Sequence, residues 1–304
     1  MMMQNIYFLK VYEKYAMAGQ PIVSVLMTAF NREQFIKEAI ESVLASSLTD
    51  FELIITDDCS TDRTYEVAKA YELSDARVRV FSNEKNLKDY PNRNMAATYA
   101  RGKYIKYLDS DDKIFKEGLL YCVQAMEQFP EAAIGMQFSQ KEFGVENPVS
   151  WSPGKIIDHH FFVRGCLNIG PSGCIIKREI FCEVGGFDPG FGVASDNFFN
   201  ITLAAKYPVV LLPQSFFFYR IHEGQEKKDK EGYLKNNYQY LKRLVTTVDL
   251  PISSMKKSKL ALHIEKSFAR QLLRYIWETK NFQTVKKIMK DTNFSILDFY
   301  KAVS

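Results

Sequence analysis

The chain has 304 residues, enough for one large domain or one domain with an appendage. It is 46% hydrophobic and 25% charged, ordinary for a globular protein, and a formal charge of +4 is too mild for a nucleic-acid-binding stripe. Its five cysteines are scattered and lack C-x-x-C spacing, which speaks against a disulfide framework and a structural zinc site and fits a reducing compartment.

Residues 1–20 read as a short amphipathic helix leading to Pro21, with Lys10, Glu13 and Lys14 inside its apolar pattern, unlike a signal peptide. No run of ~18 apolar residues occurs, so a cytoplasmic protein is expected, with peripheral contact at the inner face of the membrane left open. Ile22 to Thr28 is a β-branched apolar run and predicts a buried strand; the apolar spacing of Phe35, Ile36, Ala39, Ile40, Val43 and Leu44 predicts a helix over 33–46. A second strand is expected at 51–56, then a helix to Tyr71 capped by Thr61 or Asp62, a third strand at 77–81 and a short helix ending near Ala100. A fourth strand at Tyr104 completes a β-α-β-α-β-α-β order, which implies a mostly parallel sheet wrapped by helices.

That fourth strand ends in Asp109-Ser110-Asp111-Asp112, three carboxylates within four residues. Carboxylates so crowded raise one another's pKa unless a cation sits among them. Hard oxygen ligands suit Mg²⁺ or Mn²⁺, which complete their shells with waters and substrate phosphates, and strand ends are where ligands bind in open α/β sheets. The cluster therefore predicts a divalent metal holding a phosphorylated donor; the bland alternative is an acidic turn capping the next helix.

Farther on, a helix is expected over 117–129, mixed structure over 134–170 with a turn at Trp151–Gly154, and a short helix at 177–184. Gly185-Gly186-Phe187-Asp188-Pro189 reads as a turn, Ser195 opens a helix to about Lys206, and 209–212 and 216–221 read as strands. A charge run at 226–231 precedes helices at about 232–248, 254–279 and 281–290 and a short one near the end.

The motifs, in order, are Val23–Asn31, Asp57-Asp58-Cys59-Ser60-Thr61-Asp62, Asn94 with Ala100–Ile105, Leu108–Asp112, Gly185-Gly186-Phe187-Asp188 with Asp196, and Tyr219-Arg220-Ile221-His222. Together they resemble the family-2 glycosyltransferases, inverting enzymes with a GT-A fold that use nucleotide-sugar donors. The resemblance covers roughly residues 21–224. It implies a GT-A domain over 21–224, with a donor half at 21–112 and an acceptor half at 113–224. A helical extension at 1–20 and a helical appendage at 225–304 would flank it.

By this resemblance Thr28, Ala29 and Phe30 lie against the nucleotide base, with Asn31 and Ser110 in the same donor set. Asp58 accepts from the base N3–H, which points to a UDP- or dTDP-linked donor, since a carboxylate is an acceptor only. Asp109 lies near the ribose, and Asp111 or Asp112 binds Mn²⁺ or Mg²⁺. His222 completes the metal shell or contacts the diphosphate, or is structural. Lys88 and Arg93 either reach the donor phosphates or are exposed loop charges. Asp196 is the expected general base; the family's usual acidic pair is here Ser195-Asp196, which leaves acceptor recognition open. Gly170-Pro171-Ser172-Gly173 and the 185–186 glycines would shape the acceptor side.

The expectation is an enzyme, a metal-dependent transferase moving a sugar to a hydroxyl of a glycan or lipid-linked acceptor in polysaccharide assembly. Two rivals are a nucleotidyltransferase, which would need a glycine-rich loop where Thr28–Asn31 stands, and an inactive nucleotide-sugar-binding relative. The basic, apolar tail either packs on the catalytic domain or a second subunit, giving a homodimer, or lies on an anionic membrane.

Overall fold

The computed structural model describes residues 19–222 and 230–303. The helix expected over 1–20, save its last two residues, and the charge run from Glu226 to Asp229 lie outside the described residues. The chain divides into two compact units. One takes the chain up to Ser152 with Ile169–Phe187 and Tyr207–His222; the other takes Pro153–Asn168, Asp188–Lys206 and everything from Glu223 on. The units are thus interleaved in sequence, with chain crossings inside the stretch expected as an acceptor half.

The first unit holds β1 (Val23–Ala29), β2 (Phe51–Asp57), β3 (Val78–Ser82), β4 (Tyr104–Tyr107), β5 (Lys113–Ile114), β6 (Ile134–Gln137), β7 (Val149–Trp151), β8 (Cys174–Lys177), β9 (Val209–Leu212) and β10 (Phe217–Phe218). Eight of them form one sheet in the order β3-β2-β1-β4-β8-β6-β9-β7. β3, β2, β1 and β4 are mutually parallel, and β8 and β7 pair antiparallel to their neighbours. β1 and β2 are buried along almost their whole length, which is why they read as continuous apolar runs rather than alternating ones. The mostly parallel, helix-flanked sheet expected from the sequence is present.

Its helices are α1 (Ile36–Leu44), α2 (Thr64–Ser74), α3 (Asp89–Thr98), α4 (Gly118–Gln128) and α5 (Gln140–Phe143), with α7 (Arg178–Glu183) farther along. α1 buries Ile36, Ala39, Ile40 and Val43, the i, i+3, i+4, i+7 stripe of a surface helix. It begins three residues later than the sequence pattern because Glu33 N–H is taken by the Asp62 carboxylate and Phe35 N–H by Arg32 O. Asp62, one of the two expected caps, accepts from Thr64 N–H at 3.0 Å; Thr61 instead bonds Asn31.

The stretch expected as mixed, 134–170, resolves into β6, α5, β7 and α6 (Pro153–Phe162). The turn read at Trp151–Gly154 is corrected: a strand ends at Trp151 and a helix starts at Pro153, whose fixed φ suits a first helical turn. The strand expected over 216–221 shrinks to β10, which among the described residues pairs with the two residues of β5.

The second unit is helical: α6, α8 (Ser195–Lys206), α9 (Lys230–Thr247), α10 (Ser254–Thr279), α11 (Phe282–Asp291) and α12 (Ile296–Val303). Its core stacks Tyr238 of α9 on Phe268 of α10 at 4.0 Å, with Phe294 edge-on to both. The helical appendage expected after 225 is therefore present. No helix among the described residues is long and apolar enough to cross a membrane.

Candidate functional site at the strand ends

The β1–β2 register pairs Ala29 with Asp57, and β1–β4 pairs Leu26 with Tyr107, so the polar residues after these strands emerge side by side. Leu108 N–H continues the ladder to Leu26 O at 3.0 Å, which sets Asp109 beyond the sheet edge. At the opposite ends of these strands Glu52 is 2% exposed and accepts from Ser24, Arg79 and Arg101. Gly102 is obligatory there, since a Cβ would lie 2.5 Å from Ser24 N.

Asn31 stands at φ +52°; its N–H donates to Ser60 Oγ and its Oδ1 accepts from Thr61 N–H at 2.8 Å. The residue thus clasps the ends of β1 and β2. Thr28 and Ala29 lie at the end of β1, and Phe30 is 43% exposed beside them.

Asp58 is buried at 3% exposure and accepts from Asn83 Nδ2, Leu87 N–H and Lys88 N–H at 2.8–2.9 Å. The carboxylate closes the 83–88 loop, and a carboxylate's four lone-pair positions leave room for one more donor. Lys88, at φ +74°, is exposed.

Arg93 is 9% exposed and is not an exposed loop charge. Its Nη2 donates to Asp109 and its Nε to Asp89, each at 2.7 Å, while Nη1 is buried without a partner among the described residues. Burial works against its charge, but Asp109 and Asp89 outweigh it and hold the guanidinium well above its ordinary range.

Ligand oxygens of Asp109, Asp111 and Asp112 lie within 4.8 Å of one another, and Ser110 is buried among them. Asp111 Oδ2 is 3.0 Å from Arg32 Nε and 2.9 Å from His222 Nε2. Asp112 is 1% exposed; its Oδ1 accepts from Arg220 N–H, and its Oδ2 has no partner among the described residues. Burial, with the charges of Asp109 and Asp111, pushes the Asp112 carboxyl up to about 7. A buried carboxylate oxygen without a donor, inside a trio of oxygens, fits a hard divalent cation.

β10 explains how Arg220 and His222 arrive. Its pairing with β5 returns the chain beside the acidic cluster, where Arg220 Nε donates to Asp111 O and Nη2 to Glu38. The His222 ring lies 4.7 Å from Phe35.

The roles of two residues, one of them a motif residue, did not show in the sequence. Lys106, fully buried on β4, donates from Nζ to Tyr107 O at 2.6 Å and to Ser172 O, under the rings of Phe216 and Phe217. Ser172 Oγ in turn accepts from Asp109 N–H at 3.0 Å, so the lysine ties the Pro171–Gly173 turn to the cluster. The only signal was a lysine in an otherwise apolar, aromatic strand. The second is Asn94, whose side chain exchanges two hydrogen bonds with the Phe187 backbone, at 2.8 and 2.9 Å. Gly186, at φ +74°, makes room for it; the glycines thus seat Phe187 against Tyr90, Tyr107 and Phe181.

Asp196 lies in the first turn of α8, half-buried, with its Oδ1 accepting from Asn197 N–H at 2.7 Å. Ser195, where the family pattern has an acid, is fully buried, and its hydroxyl faces the carbonyls of Asp188 and Gly192, each at 2.7 Å. A carboxylate there would meet two acceptors with no proton to share, so the local turn selects a donor.

A model of the family described as Glycosyl transferase family 2 matches residues 24–185. Glycosyltransferase GlyG of Streptococcus pneumoniae is 32% identical over 183 residues, 54% of this chain and 59% of GlyG. The UDP-Glc:alpha-D-GlcNAc-diphosphoundecaprenol beta-1,3-glucosyltransferase WfgD of Escherichia coli is 40% identical over 91 residues, 30% of this chain and 35% of WfgD. The chain therefore spans less than two thirds of the length of these curated relatives. The crystal structure of S. aureus TarS 1–349 in complex with UDP-GlcNAc matches with a TM-score of 0.70 at 18% identity, over 93% of this chain and 81% of that one. At that identity the likeness establishes the fold, GT-A.

Proposed function

Because the chain belongs to glycosyl transferase family 2, we propose that it is a metal-dependent, inverting glycosyltransferase. It moves a sugar from a UDP-linked donor to a hydroxyl of a glycan or lipid-linked acceptor during polysaccharide assembly. The observation that carries this reading is the Asp109–Asp111–Asp112 trio at the ends of parallel strands, with one buried oxygen left for a cation. The relatives support its direction: WfgD is named for a UDP-glucose donor and a diphosphoundecaprenol-linked acceptor, and TarS binds UDP-GlcNAc. The catalytic region in this reading is 21–224.

Thr28, Ala29, Phe30 and Asn31 line the base side, and Asp58 selects a ring N–H while holding the 83–88 loop. Asp111, Asp112 and His222 would hold Mn²⁺ or Mg²⁺, which, when bound, neutralises charge on the departing diphosphate. Arg93 fixes Asp109 beside the ribose. The acceptor oxygen attacks the anomeric carbon as the carbon–oxygen bond to the diphosphate breaks. The hydroxyl proton passes to the Asp196 carboxylate, and the bonding pair leaves with the nucleoside diphosphate.

The deciding experiment is calorimetric titration of UDP, dTDP and GDP, with and without Mn²⁺, into the wild type and Asp111→Ala. Metal-dependent uptake of UDP or dTDP, absent in the variant, supports the reading. No nucleotide binding with metal present would reduce the cluster to an acidic turn.

A further inference from the structure

α10 carries two apolar rows. Leu260, Ile264, Phe268, Leu272 and Tyr275 face inward and are buried. A second row faces out: Met255, Leu262, Leu273 and Trp277 are 66%, 54%, 45% and 72% exposed. At about 100° per residue these four fall within an arc of roughly 60°. Lys259 and Lys266 share that arc, and Arg270 lies about 20° beyond its edge.

Carboxylates are absent from it. The helix has only Glu265 and Glu278. Glu265 turns away to Tyr238 and Lys242, and Glu278 lies off the arc, paired with Arg274. Lys280 sits 5.8 Å over the Trp277 ring and extends the basic rim.

We propose that this outward face of α10 lies on an anionic lipid bilayer. Leu262, Leu273 and Trp277 enter the acyl boundary, and Lys259, Lys266 and Arg270 reach the lipid phosphates from their apolar stems. The face is presented by one helix of 26 residues, about 39 Å long. A second copy is disfavoured, because a two-fold axis at the middle of the row would set Lys266 against its own counterpart. Since no described helix can span a bilayer, the contact is one of lying on the surface. The inference goes beyond the donor chemistry and holds without it.

The test is co-sedimentation of the full chain with phosphatidylcholine vesicles and with vesicles that also contain phosphatidylglycerol. The expected result is binding to the anionic vesicles, at least roughly tenfold weaker on neutral ones and weakened by salt. In a Trp151→Phe background, Trp277 emission should shift to the blue on the anionic vesicles. The triple variants Leu262→Ser/Leu273→Ser/Trp277→Ser and Lys259→Gln/Lys266→Gln/Arg270→Gln should each lose roughly tenfold or more in partitioning. Both should keep whatever UDP binding the wild type shows, so loss of membrane binding and failure of the donor reading register separately. A wild type left in the supernatant with anionic vesicles, variants that sediment as it does, or a concentration-dependent dimer abolished by the serine variant would each overturn the proposal.

Discussion

Arg93 Nη2 donates to Asp109 Oδ1 at 2.7 Å, and the same guanidinium reaches Asp89 on its other side. Its ring neighbours, Tyr90 and Tyr107, lie 5.9 and 5.8 Å away and seal it from water. The residue is therefore an internal brace for the acidic cluster. Arg93 is buried while Asp109 and Asp89 keep 30% and 41% of their side chains exposed, so Arg93→Gln should lower stability by about 1–3 kcal/mol in urea unfolding. Unchanged stability with weakened UDP binding would instead make Arg93 an arm for the donor phosphates.

Lys106 offers a separate test of how the cluster is held. Its Nζ bonds two carbonyls and no carboxylate, and burial lowers its pKa. Lys106→Met keeps the stem but leaves the Tyr107 and Ser172 carbonyls without that donor, costing about 1–3 kcal/mol for each group left unsatisfied. The Ser172–Asp109 bond should then slacken. Mn²⁺ titration followed by electron paramagnetic resonance should show weaker binding than in the wild type, with far-ultraviolet dichroism retained. Equal Mn²⁺ affinity in the two proteins would confine Lys106 to packing.

Asn94 imitates a strand partner for Phe187, donating from Nδ2 and accepting at Oδ1. Asn94→Asp keeps shape and acceptor but loses the donor, so it should destabilise by about 1–3 kcal/mol. Gly186→Ala should cost a comparable amount, about 1–3 kcal/mol, because it places a Cβ at positive φ. That Cβ would also stand 2.6 Å from Asn94 Oδ1. Melting midpoints of the two variants and their double would check the coupling: the losses should be less than additive. Full additivity would mean the contact is incidental.

The parallel half of the sheet was legible because its strands are buried on both faces and end in polar runs, a one-dimensional signal. The acidic trio was legible for the same reason, being local in sequence. Partners far along the chain were not. Arg93 and Asp109 lie 16 residues apart and Asn94 and Phe187 lie 93 apart, so neither pairing shows as a pattern. Ser195 looked like a missing acid, whereas the two carbonyls of its turn select a hydroxyl. The basic, apolar tail gave no sign that the apolar residues of α10 divide into a buried row, covered in part by Tyr238 of α9, and an outward row.

His160 shows where acid should weaken the second unit. The ring is 8% exposed, and Nδ1 accepts from Cys166 N–H and Leu167 N–H at 2.9 and 3.0 Å. Burial, helped by His159, lowers its pKa from 6.5 to about 4. In the unfolded chain the ring takes a proton near pH 6.5, while the folded chain refuses it until about pH 4. Stability is thus fully present above the unfolded value and drains as pH falls toward the folded one, by on the order of 3 kcal/mol. His160→Gln can still accept at Oε1 but cannot titrate, so this part of its acid loss should vanish. Urea midpoints of both proteins across that pH range would decide it: parallel curves would mean that the ring is protonated in place and that Nδ1 is not the acceptor the fold depends on.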